Sequence, residues 1–501
     1  MATVNPDNSS RAAARSRSIV LRTVVRLSGV FVVGLMLSGV LSFGQAFPPP
    51  AIQWQRRLAA SAWESQKLPD NSVVLAGYVI RTNIDFYVAR IDAAGQVLWE
   101  RQLGGSGYDD AYDVRPASDG GFIVVGRSES GATGDKSADN FGWSDYWVVH
   151  LDSAGRKTWD ATIGGTWNDL PRAVIELEDS SIIIAGESYS PADGNKTARQ
   201  IGRWDAWFVR LSADGSNIWD QTFGGLDNDG VYSVVSASNR VVFAGYSESQ
   251  TNITKTATAY GTWDVWVGSL DAEGTLLWDR SYGGAGFDYA EKIQLTLDGG
   301  FIIAGYSASA PGGNKTSSHF GGGDGWAIRL DSAGNKIWER SYGSTNHESF
   351  YSVDAIADGG FIFSGIQRGD FWVARTDTSG NKLWEQTFPA PYLDRAHAVA
   401  ALADGSYLVS GILDIDGPEE TWLLRLQQDS PMLRLGKSVG NDLSLFLNGT
   451  SNDYAIEFST DLLSWSRWST NSVATTGSET SLVAPANDPA GRRFYRARLI
   501  P

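Results

Sequence analysis

The 501-residue chain contains no cysteine, which excludes disulfides, thiolate metal ligands and cysteine nucleophiles. Histidine and methionine are scarce, at 4 and 3 residues, so soft metal sites have few ligands available. Basic residues are fewer than acidic ones: the chain has 41 Lys and Arg and 57 Asp and Glu, which gives a formal net charge of −16. Such an acidic chain repels phosphate backbones, so we expect no nucleic-acid partner. Cations, neutral sugars and basic proteins remain candidate partners.

Long hydrophobic runs are also missing, except near the N-terminus. A basic stretch from Arg11 to Arg26 precedes a short apolar run from Leu27 to Phe43, and Ala46 offers a small residue for cleavage. This pattern predicts a secretory signal peptide over residues 1–46, with an uncleaved membrane anchor as the alternative. We therefore expect a mature chain without a membrane span, either secreted or at the cell surface, or else in the periplasm.

Glycine and tryptophan are abundant, at 56 and 20 residues, which suits short strands joined by tight turns. One pattern recurs: Leu-Asp-x-x-Gly-x-x-x-Trp, Gly-Gly, an acidic residue, Asp-Gly-Gly-Phe-Ile and Asp-x-Trp. The tryptophan of the first motif occurs seven times, 45 to 60 residues apart: Trp54, Trp99, Trp159, Trp219, Trp278, Trp338 and Trp384. Four strands per unit of this length are typical of a propeller blade.

The ends of the repeat region predict a closed ring. The first tryptophan strand, around Trp54, precedes all other repeat elements, and the last unit ends near Leu426 without one. The N-terminal strand can therefore complete the last blade and leave no free edge, whereas a solenoid would need caps at both ends. We predict an all-β chain with a seven-bladed β-propeller over residues 51–427, and a small β-sandwich-like C-terminal domain over residues 431–501.

These motifs resemble quinoprotein-type and WD-type propeller repeats, and the Asp-Gly-Gly-Phe and Asp-x-Trp units are similar to those of secreted bacterial propellers. The resemblance implies that the repeated tryptophans pack between neighbouring blades. It does not extend to quinone chemistry, since the vicinal disulfide of many such enzymes needs cysteine. The segment Tyr454–Leu462, with Trp465 and Phe494–Arg498, resembles a module at the C-terminus of many secreted bacterial proteins, which implies display, attachment or sorting.

An acidic residue follows the Gly-Gly pair or its equivalent in each unit, at Glu64, Asp109, Asp169, Asp229, Asp288, Glu348 and Asp394. If each stands at the head of an innermost strand, the seven surround the channel mouth and could hold a cation, with Ca²⁺ as the candidate cofactor. The alternative is that each carboxylate accepts backbone hydrogen bonds within its own turn, because architecture repeats whereas function usually breaks symmetry.

Four consecutive units carry long insertions between their second and third strands, at residues 129–144, 189–204, 248–263 and 308–323. Each insertion has a lysine followed by Ser or Thr, and three end in an extra tryptophan. We predict a ligand surface formed by Trp143, Trp204, Trp263, Lys136, Lys196, Lys255 and Lys315. The alternatives are that the tryptophans pack the insertions onto the blades and that the lysines neutralise nearby carboxylates.

The chain has no Gly-x-Ser-x-Gly elbow, zinc-binding His pair or phosphate loop. The sequence favours a non-catalytic extracellular binding or scaffold protein, expected to be a monomer, which takes a glycan or a protein at its loop face. One alternative is a polysaccharide hydrolase or lyase that uses two carboxylates of this face. Another is an inert display or spacer platform.

Overall fold

The computed structural model describes residues 49–251, 254–389, 393–414 and 419–427, together with six strands nearer the C-terminus. The predicted signal peptide over residues 1–46 lies outside the described residues. Every described element is a β-strand, which confirms the all-β prediction. Within this part of the chain, no helix is long and apolar enough to cross a membrane.

Seven four-stranded antiparallel sheets form the seven predicted blades, each with its first strand innermost. The N-terminal strand is β1 (Ile52–Leu58). The strands of blades 1 to 3 are β2 (Ser61–Lys67), β3 (Val73–Ile80), β4 (Ile84–Ile91), β5 (Val97–Leu103), β6 (Asp109–Pro116), β7 (Phe122–Ser128), β8 (Asp145–Leu151), β9 (Lys157–Ile163), β10 (Asp169–Glu176), β11 (Ile182–Ser188), β12 (Asp205–Leu211) and β13 (Asn217–Phe223).

Blades 4 to 7 follow the same plan, and blade 7 supplies only three strands from its own segment. Their strands are β14 (Asp229–Ser236), β15 (Val241–Ser247), β16 (Asp264–Leu270), β17 (Leu276–Tyr282), β18 (Asp288–Leu295), β19 (Phe301–Ser307), β20 (Asp324–Leu330), β21 (Lys336–Tyr342), β22 (Glu348–Ala355), β23 (Phe361–Gln367), β24 (Asp370–Thr376), β25 (Lys382–Phe388), β26 (Arg395–Ala401), β27 (Tyr407–Leu413) and β28 (Glu420–Leu426).

The N-terminal strand closes the propeller, as the sequence predicts. β1 pairs antiparallel with β28, from Ile52 opposite Leu426 to Leu58 opposite Thr421. The Gln427 amide donates to the Ala51 carbonyl at 2.7 Å and extends this ladder by one bond. Blade 7 therefore joins the two ends of the propeller segment, and its fourth strand is paired like that of every other blade.

The hydrophobic cores lie between adjacent blades. One cluster combines Ile123 and Tyr146 of blade 2 with Ile184 and Trp207 of blade 3, all nearly or fully buried. The second and third strands pack against neighbours on both faces, so they are buried along their whole length, as in β11 and β16. The fourth strands form the outer edges of the blades and alternate between exposed and partly buried residues, as in β5.

The repeated tryptophans of the fourth strands dock each blade onto the next. The indole of Trp278 lies against Gly334 in the hairpin of the following blade, where a Cβ would come within 2.5 Å of it. Gly334 also has a φ of +79°, which glycine adopts at little cost. The same contact joins Trp54, Trp99, Trp159, Trp219 and Trp338 to the next hairpin glycine. Packing between blades, which the quinoprotein resemblance implies, is therefore present in the structure.

Each innermost strand carries a β-bulge near its start. In blade 2 the register shifts between Ala111 and Asp113, so that Tyr112 is an extra residue on β6. A glycine stands opposite every bulge on the second strand, and a Cβ on Gly126 would lie 2.0 Å from the Asp110 carbonyl oxygen. Bulges re-aim side chains, and here the extra side chain of each blade turns toward the central channel.

Six further strands follow the propeller segment: β29 (Met432–Leu435), β30 (Leu443–Asn448), β31 (Asp453–Ser459), β32 (Ser466–Ser472), β33 (Glu479–Ala484) and β34 (Phe494–Leu499). They form two three-stranded antiparallel sheets, in the orders β29-β30-β33 and β32-β31-β34. The domain boundaries drawn from the sequence, at residues 46, 427 and 431, stay predictions.

Candidate functional site

Six of the acidic residues proposed as a metal ring are fully buried at the heads of the innermost strands. We call them the head carboxylates: Asp109, Asp169, Asp229, Asp288, Glu348 and Asp394. Asp169 Oδ2 accepts hydrogen bonds from the Gly165 amide and the Ser190 hydroxyl, at 2.8 and 2.9 Å. The equivalent amide and hydroxyl groups donate hydrogen bonds to three further head carboxylates, those of Asp109, Asp229 and Asp288. These carboxylates thus stabilise turns, and no three His, Asp or Glu of the described residues could together hold a metal ion.

The prediction that Glu64 belongs to this set is wrong. The bulge in β2 shifts the register between Ala62 and Glu64, just as the bulge in β6 shifts it between Ala111 and Asp113. Glu64 is therefore equivalent to Asp113, inside the channel. The connection between β1 and β2 is shorter than that between β5 and β6, so counting residues from the end of the tryptophan strand gives the wrong position.

The four insertion lysines are almost completely buried: Lys136, Lys196, Lys255 and Lys315. Their ammonium groups donate to carbonyl oxygens of their own insertions, as Lys196 Nζ does to Ser190 O at 2.6 Å. Burial lowers the pKa of Lys196, and the nearby Asp169 and Asp205 carboxylates act in the opposite direction. This placement favours the alternative that the lysines neutralise carboxylates within the blades, and ligand contact by them stays a prediction without structural support.

Millimolar calcium is expected to leave the melting temperature of the protein unchanged. The head carboxylates already accept hydrogen bonds from their turns, and a buried lysine supplies positive charge beside those of blades 2 to 5. Thermal denaturation with calcium and with chelator measures this. A calcium-dependent rise that disappears in an Asp169→Asn/Asp229→Asn variant would instead establish the cation site that the sequence suggested.

The three loop tryptophans occupy two different positions. Trp204 and Trp263 directly precede the first residue of the third strand, and both are partly buried. Trp143 stands one residue earlier in its insertion, and 66% of its surface is exposed. Its indole contacts Trp167, with ring centroids 5.5 Å apart, and Trp167 comes from the loop that enters the next blade. The loop face therefore has exposed aromatic surface, and ligand binding there stays a prediction.

The most distinctive site is the central cavity, whose volume is about 490 Å³. Its wall includes the extra bulge residue of every blade, a set that we call the bulge ring: Trp63, Tyr112, Arg172, Tyr232, Glu291, Tyr351 and His397. These positions are structurally equivalent, yet their side chains do not repeat. The volume lies within the range of roughly 300 to 1,000 Å³ of small-molecule sites.

Charged side chains cluster in the channel just beyond the bulge ring, where Glu64, Asp113 and Lys292 stand one residue further along their strands and Arg115 three. Lys292 of blade 5 forms an ion pair with Glu64 of blade 1. Asp113 accepts from Arg115 Nε at 3.3 Å and from the Val174 amide at 2.9 Å. Burial raises the pKa of Asp113, and the charges of Arg115 and Lys292 oppose this rise. Lys292 and Glu64 lie in non-adjacent blades, so their contact narrows the channel beyond the bulge ring.

Burial in the cavity wall changes which of its side chains are charged near neutral pH. Burial raises the pKa of Asp110 to about 7, although Trp63 Nε1 donates to its carboxylate at 3.0 Å. Burial also raises the pKa of Glu291 to about 7, against the attraction of Arg172. His397 lies against the aromatic rings of Trp63 and Tyr351, and burial lowers its pKa to about 3. Two carboxyl groups thus change charge near neutral pH beside an uncharged imidazole.

The bulge ring went unnoticed in the sequence, although a signal for it exists. Its members follow the head carboxylates by three residues, as Tyr112 follows Asp109 and Arg172 follows Asp169. The position varies between tyrosine, arginine, glutamate and histidine, whereas the residue three positions earlier is acidic in each of these units. A search for variable polar positions within the repeat would have found all but Trp63, whose blade has no head carboxylate.

Stacked aromatic side chains connect this cavity with the loop face. Tyr232 of the bulge ring contacts Tyr246, with centroids 5.4 Å apart. Tyr246 stacks on Trp263 at 4.6 Å, and Trp263 contacts the half-exposed Phe287 at 5.7 Å. Aromatic packing through the buried Tyr246 thus links the cavity wall to the exposed aromatic surface of the loops.

No family model matches the chain. Over 311 residues, 56% of this chain and 32% of the other, it is 24% identical to the regulatory protein FlaEY of Caulobacter vibrioides. The chain thus spans about a third of the length of that curated relative. Similar solved structures include the Neurospora crassa Pan2 WD40 domain (10% identity, 74% of this chain and 91% of that one, TM-score 0.44). Hydrazine synthase of Kuenenia stuttgartiensis is another (10%, 70% and 93%, TM-score 0.47). The function must therefore be argued from the residues of this chain.

Proposed function

We propose that the chain is a non-catalytic binding propeller that takes a small ligand of the carbohydrate class in its central cavity. The observation that supports this proposal is the bulge ring. Seven equivalent positions carry tryptophan, three tyrosines, arginine, glutamate and histidine, while the surrounding architecture repeats from blade to blade. If these positions were only structural, the same side-chain type could serve in every blade. A ligand without sevenfold symmetry instead requires different side chains on different sides of the cavity.

The composition of the cavity suits a hydroxyl-rich ligand. Faces of Trp63, Tyr232 and Tyr351 offer flat apolar surface to the C–H groups of a sugar ring. Carboxylates and guanidinium groups beside them accept and donate hydrogen bonds to hydroxyls. Ligand sites commonly combine such apolar walls with a few polar groups that fix orientation.

The loop face would extend this site to longer glycans. Trp143, Trp167 and Tyr189 form a chain of aromatic contacts there, with centroid separations of 5.5 and 6.5 Å. The apolar N-terminal segment supports a further proposal, that binding takes place outside the cytoplasm.

Binding of a sugar is expected to depend on the cavity more than on the loop face. A panel of mono- and oligosaccharides would be titrated against the protein by calorimetry, and then against Tyr351→Ala and Trp143→Ala variants. Loss of one cavity stacking surface should weaken binding about tenfold. The exposed Trp143 is the matched control, and its removal should leave monosaccharide binding unchanged.

Two other results of this titration would argue against a sugar site in the cavity. Loss of binding in Trp143→Ala but not in Tyr351→Ala would move the site to the loop face. No binding by any sugar would contradict the carbohydrate proposal. Circular dichroism of each variant checks that the blades remain intact.

A catalytic role is the second candidate, because Asp110 and Glu291 border the cavity with pKa values near 7. A carboxyl group that is half protonated at neutral pH is suited to general acid catalysis. Incubation of the protein with oligosaccharides and analysis of reducing ends or unsaturated products tests this role. Turnover that a Glu291→Gln variant lacks would favour an enzyme over a binding protein.

A further inference from the structure

The side chain of Arg172 is held in one orientation at the cavity wall. Its Nε donates to Glu187 at 3.2 Å, and Glu187 also accepts from the Tyr246 hydroxyl at 2.9 Å. The guanidinium group lies over the aromatic rings of Tyr112 and Tyr232, at 5.0 and 5.3 Å from their centroids. Two tyrosine faces and one carboxylate therefore fix the plane of this group before any ligand arrives.

The terminal nitrogens of Arg172 have no hydrogen-bond acceptor among the described residues. The side chain remains 32% accessible and borders the cavity. A guanidinium group presents two terminal nitrogens in a planar fork that matches both oxygens of a carboxylate. The two unpaired nitrogens of this cavity-lining residue are thus the part that recognises anions.

Three buried arginines of the propeller are arranged differently. Arg329 pairs with Asp298, Arg375 with Asp358 and Arg425 with Asp404, in each case through a terminal nitrogen. These aspartates belong to the hairpin turns between the first two strands, so the repeat supplies a partner for each arginine. Arg172 departs from this arrangement, because its one carboxylate partner binds Nε and leaves both terminal nitrogens open. Arg115 also pairs through Nε, with Asp113, but only Arg172 of the two lines the cavity.

Acceptor groups lie elsewhere in the same cavity wall. Glu291 has no hydrogen-bond partner among the described residues, and Asp110 accepts from Trp63 through one oxygen. Carboxyl groups of this kind bind hydroxyl groups, whereas they repel a second anion. The cavity therefore offers one position for a carboxylate and separate positions for hydroxyl groups, with aromatic faces between them.

We propose that the cavity binds a sugar acid, such as a uronic acid, whose carboxylate pairs with the two terminal nitrogens of Arg172. The inference rests on the proposed function and specifies the ligand class of the same site. The sugar hydroxyls bind Glu291 and Asp110, and the sugar ring lies against the tyrosine faces of the bulge ring. A neutral hexose lacks the group that would pair with the open fork.

Calorimetric titration with glucuronate, galacturonate, glucose, galactose and acetate tests the inference. Sugar acids should bind at least tenfold tighter than neutral sugars and acetate. An Arg172→Gln variant keeps a donor for Glu187 and should weaken sugar-acid binding about 30-fold, with little effect on neutral sugars. The sugar-acid affinity of an Arg172→Lys variant should lie between those of the wild type and Arg172→Gln, because lysine keeps the positive charge but not the planar pair of nitrogens. Arg210→Lys is the matched control, since Arg210 lies in the same blade with all three nitrogens bonded.

The outcomes separate the two proposals. Equal affinity for acidic and neutral sugars, unchanged in Arg172→Gln, would overturn the sugar-acid inference and leave carbohydrate binding in place. Acetate binding as tightly as the uronates would make the ligand a small organic acid and remove the role of the hydroxyls. Absence of binding by every sugar, with melting temperatures of wild type and variants alike, would overturn both proposals.

The pH dependence of affinity is a second readout. Asp110 and Glu291, with pKa values of about 7, lose their negative charge between pH 8 and pH 6. A sugar carboxylate and Arg172 keep their charges there, so affinity should rise as the pH falls. The other titratable or charged side chains that line the cavity are Glu64, Tyr108, Tyr112, Asp113, Arg127, Tyr232, Lys292, Tyr351 and His397, and Glu187 and Tyr289 lie close by. Burial raises the pKa of each of these tyrosines and lowers that of His397, so all of them stay neutral. An Asp110→Asn/Glu291→Gln variant should lose the pH dependence, and a profile unchanged in it would contradict the inferred charge arrangement.

Discussion

Replacement of Trp207 by alanine is expected to lower the free energy of unfolding by about 3 to 5 kcal/mol. The side chain is fully buried between blades 2 and 3, against Tyr146 at a centroid distance of 4.7 Å. Its Nε1 donates to Asp220 at 3.0 Å. The substitution removes a large apolar contact, leaves a cavity between two blades and takes one hydrogen bond from a nearly buried carboxylate.

Trp143 provides the matched control for this experiment, because it is the same residue type on an insertion of the neighbouring blade. With 66% of its surface exposed, it should lose less than about 1 kcal/mol on replacement by alanine. Urea denaturation of both variants, followed by tryptophan fluorescence and circular dichroism, gives the two values. Equal losses would mean that the contacts between blades do not dominate the stability of the propeller.

Replacement of Gly186 by alanine is expected to cost about 3 kcal/mol of stability and to weaken ligand binding as well. Gly186 lies on β11 opposite the bulge that presents Arg172. A Cβ there would stand 2.0 Å from the Leu170 carbonyl oxygen and 2.7 Å from the Tyr146 hydroxyl. The inner strand would have to move, and Arg172 would move with it.

Gly312 is the control for backbone crowding, since the nearest atom to a Cβ at this position is the Ala310 carbonyl oxygen at 3.9 Å. Its replacement by alanine should change the free energy of unfolding by less than about 0.5 kcal/mol. Thermal and urea denaturation compare the two variants. Wild-type stability in the Gly186→Ala protein would show that the bulge can relax, and would weaken the argument that it positions the ring.

Much of the propeller could be predicted from the sequence. For the third unit the sequence predicts strands at Leu170–Leu177, Ser181–Ser188, Ala206–Leu211 and Asn217–Phe223. Each begins and ends within one residue of β10 to β13. The turn glycines, the Asp-x-Trp motif and the alternation within each unit are local signals, and seven copies reduce the effect of noise in any one of them. Closure by the N-terminal strand also followed from the order of the motifs, because the chain has an unpaired element at each end of the repeat.

The candidate functional residues are harder to recognise in the sequence, because they are set apart by their position in the strand register and not by their residue type. Counting residues along the repeat places Glu64 among the head carboxylates, and only the bulge in β2 shows that it lies deeper in the channel. The sequence suggests that the insertion lysines are available for ligands, yet their ammonium groups donate to carbonyl oxygens of their own insertions. Sequence position does not reveal burial when a long side chain can fold back onto its own loop.

The sequence by itself determined the repeat, the number of blades, the mode of closure and the tryptophans that join them. These features depend on local sequence signals, which occur again in each repeat unit. The tertiary structure alone decided which side chains meet on the axis, such as Lys292 with Glu64, which stand 228 residues apart. Ring closure brings seven distant bulges around one cavity, and a pairwise contact between non-adjacent blades leaves no periodic trace in the chain.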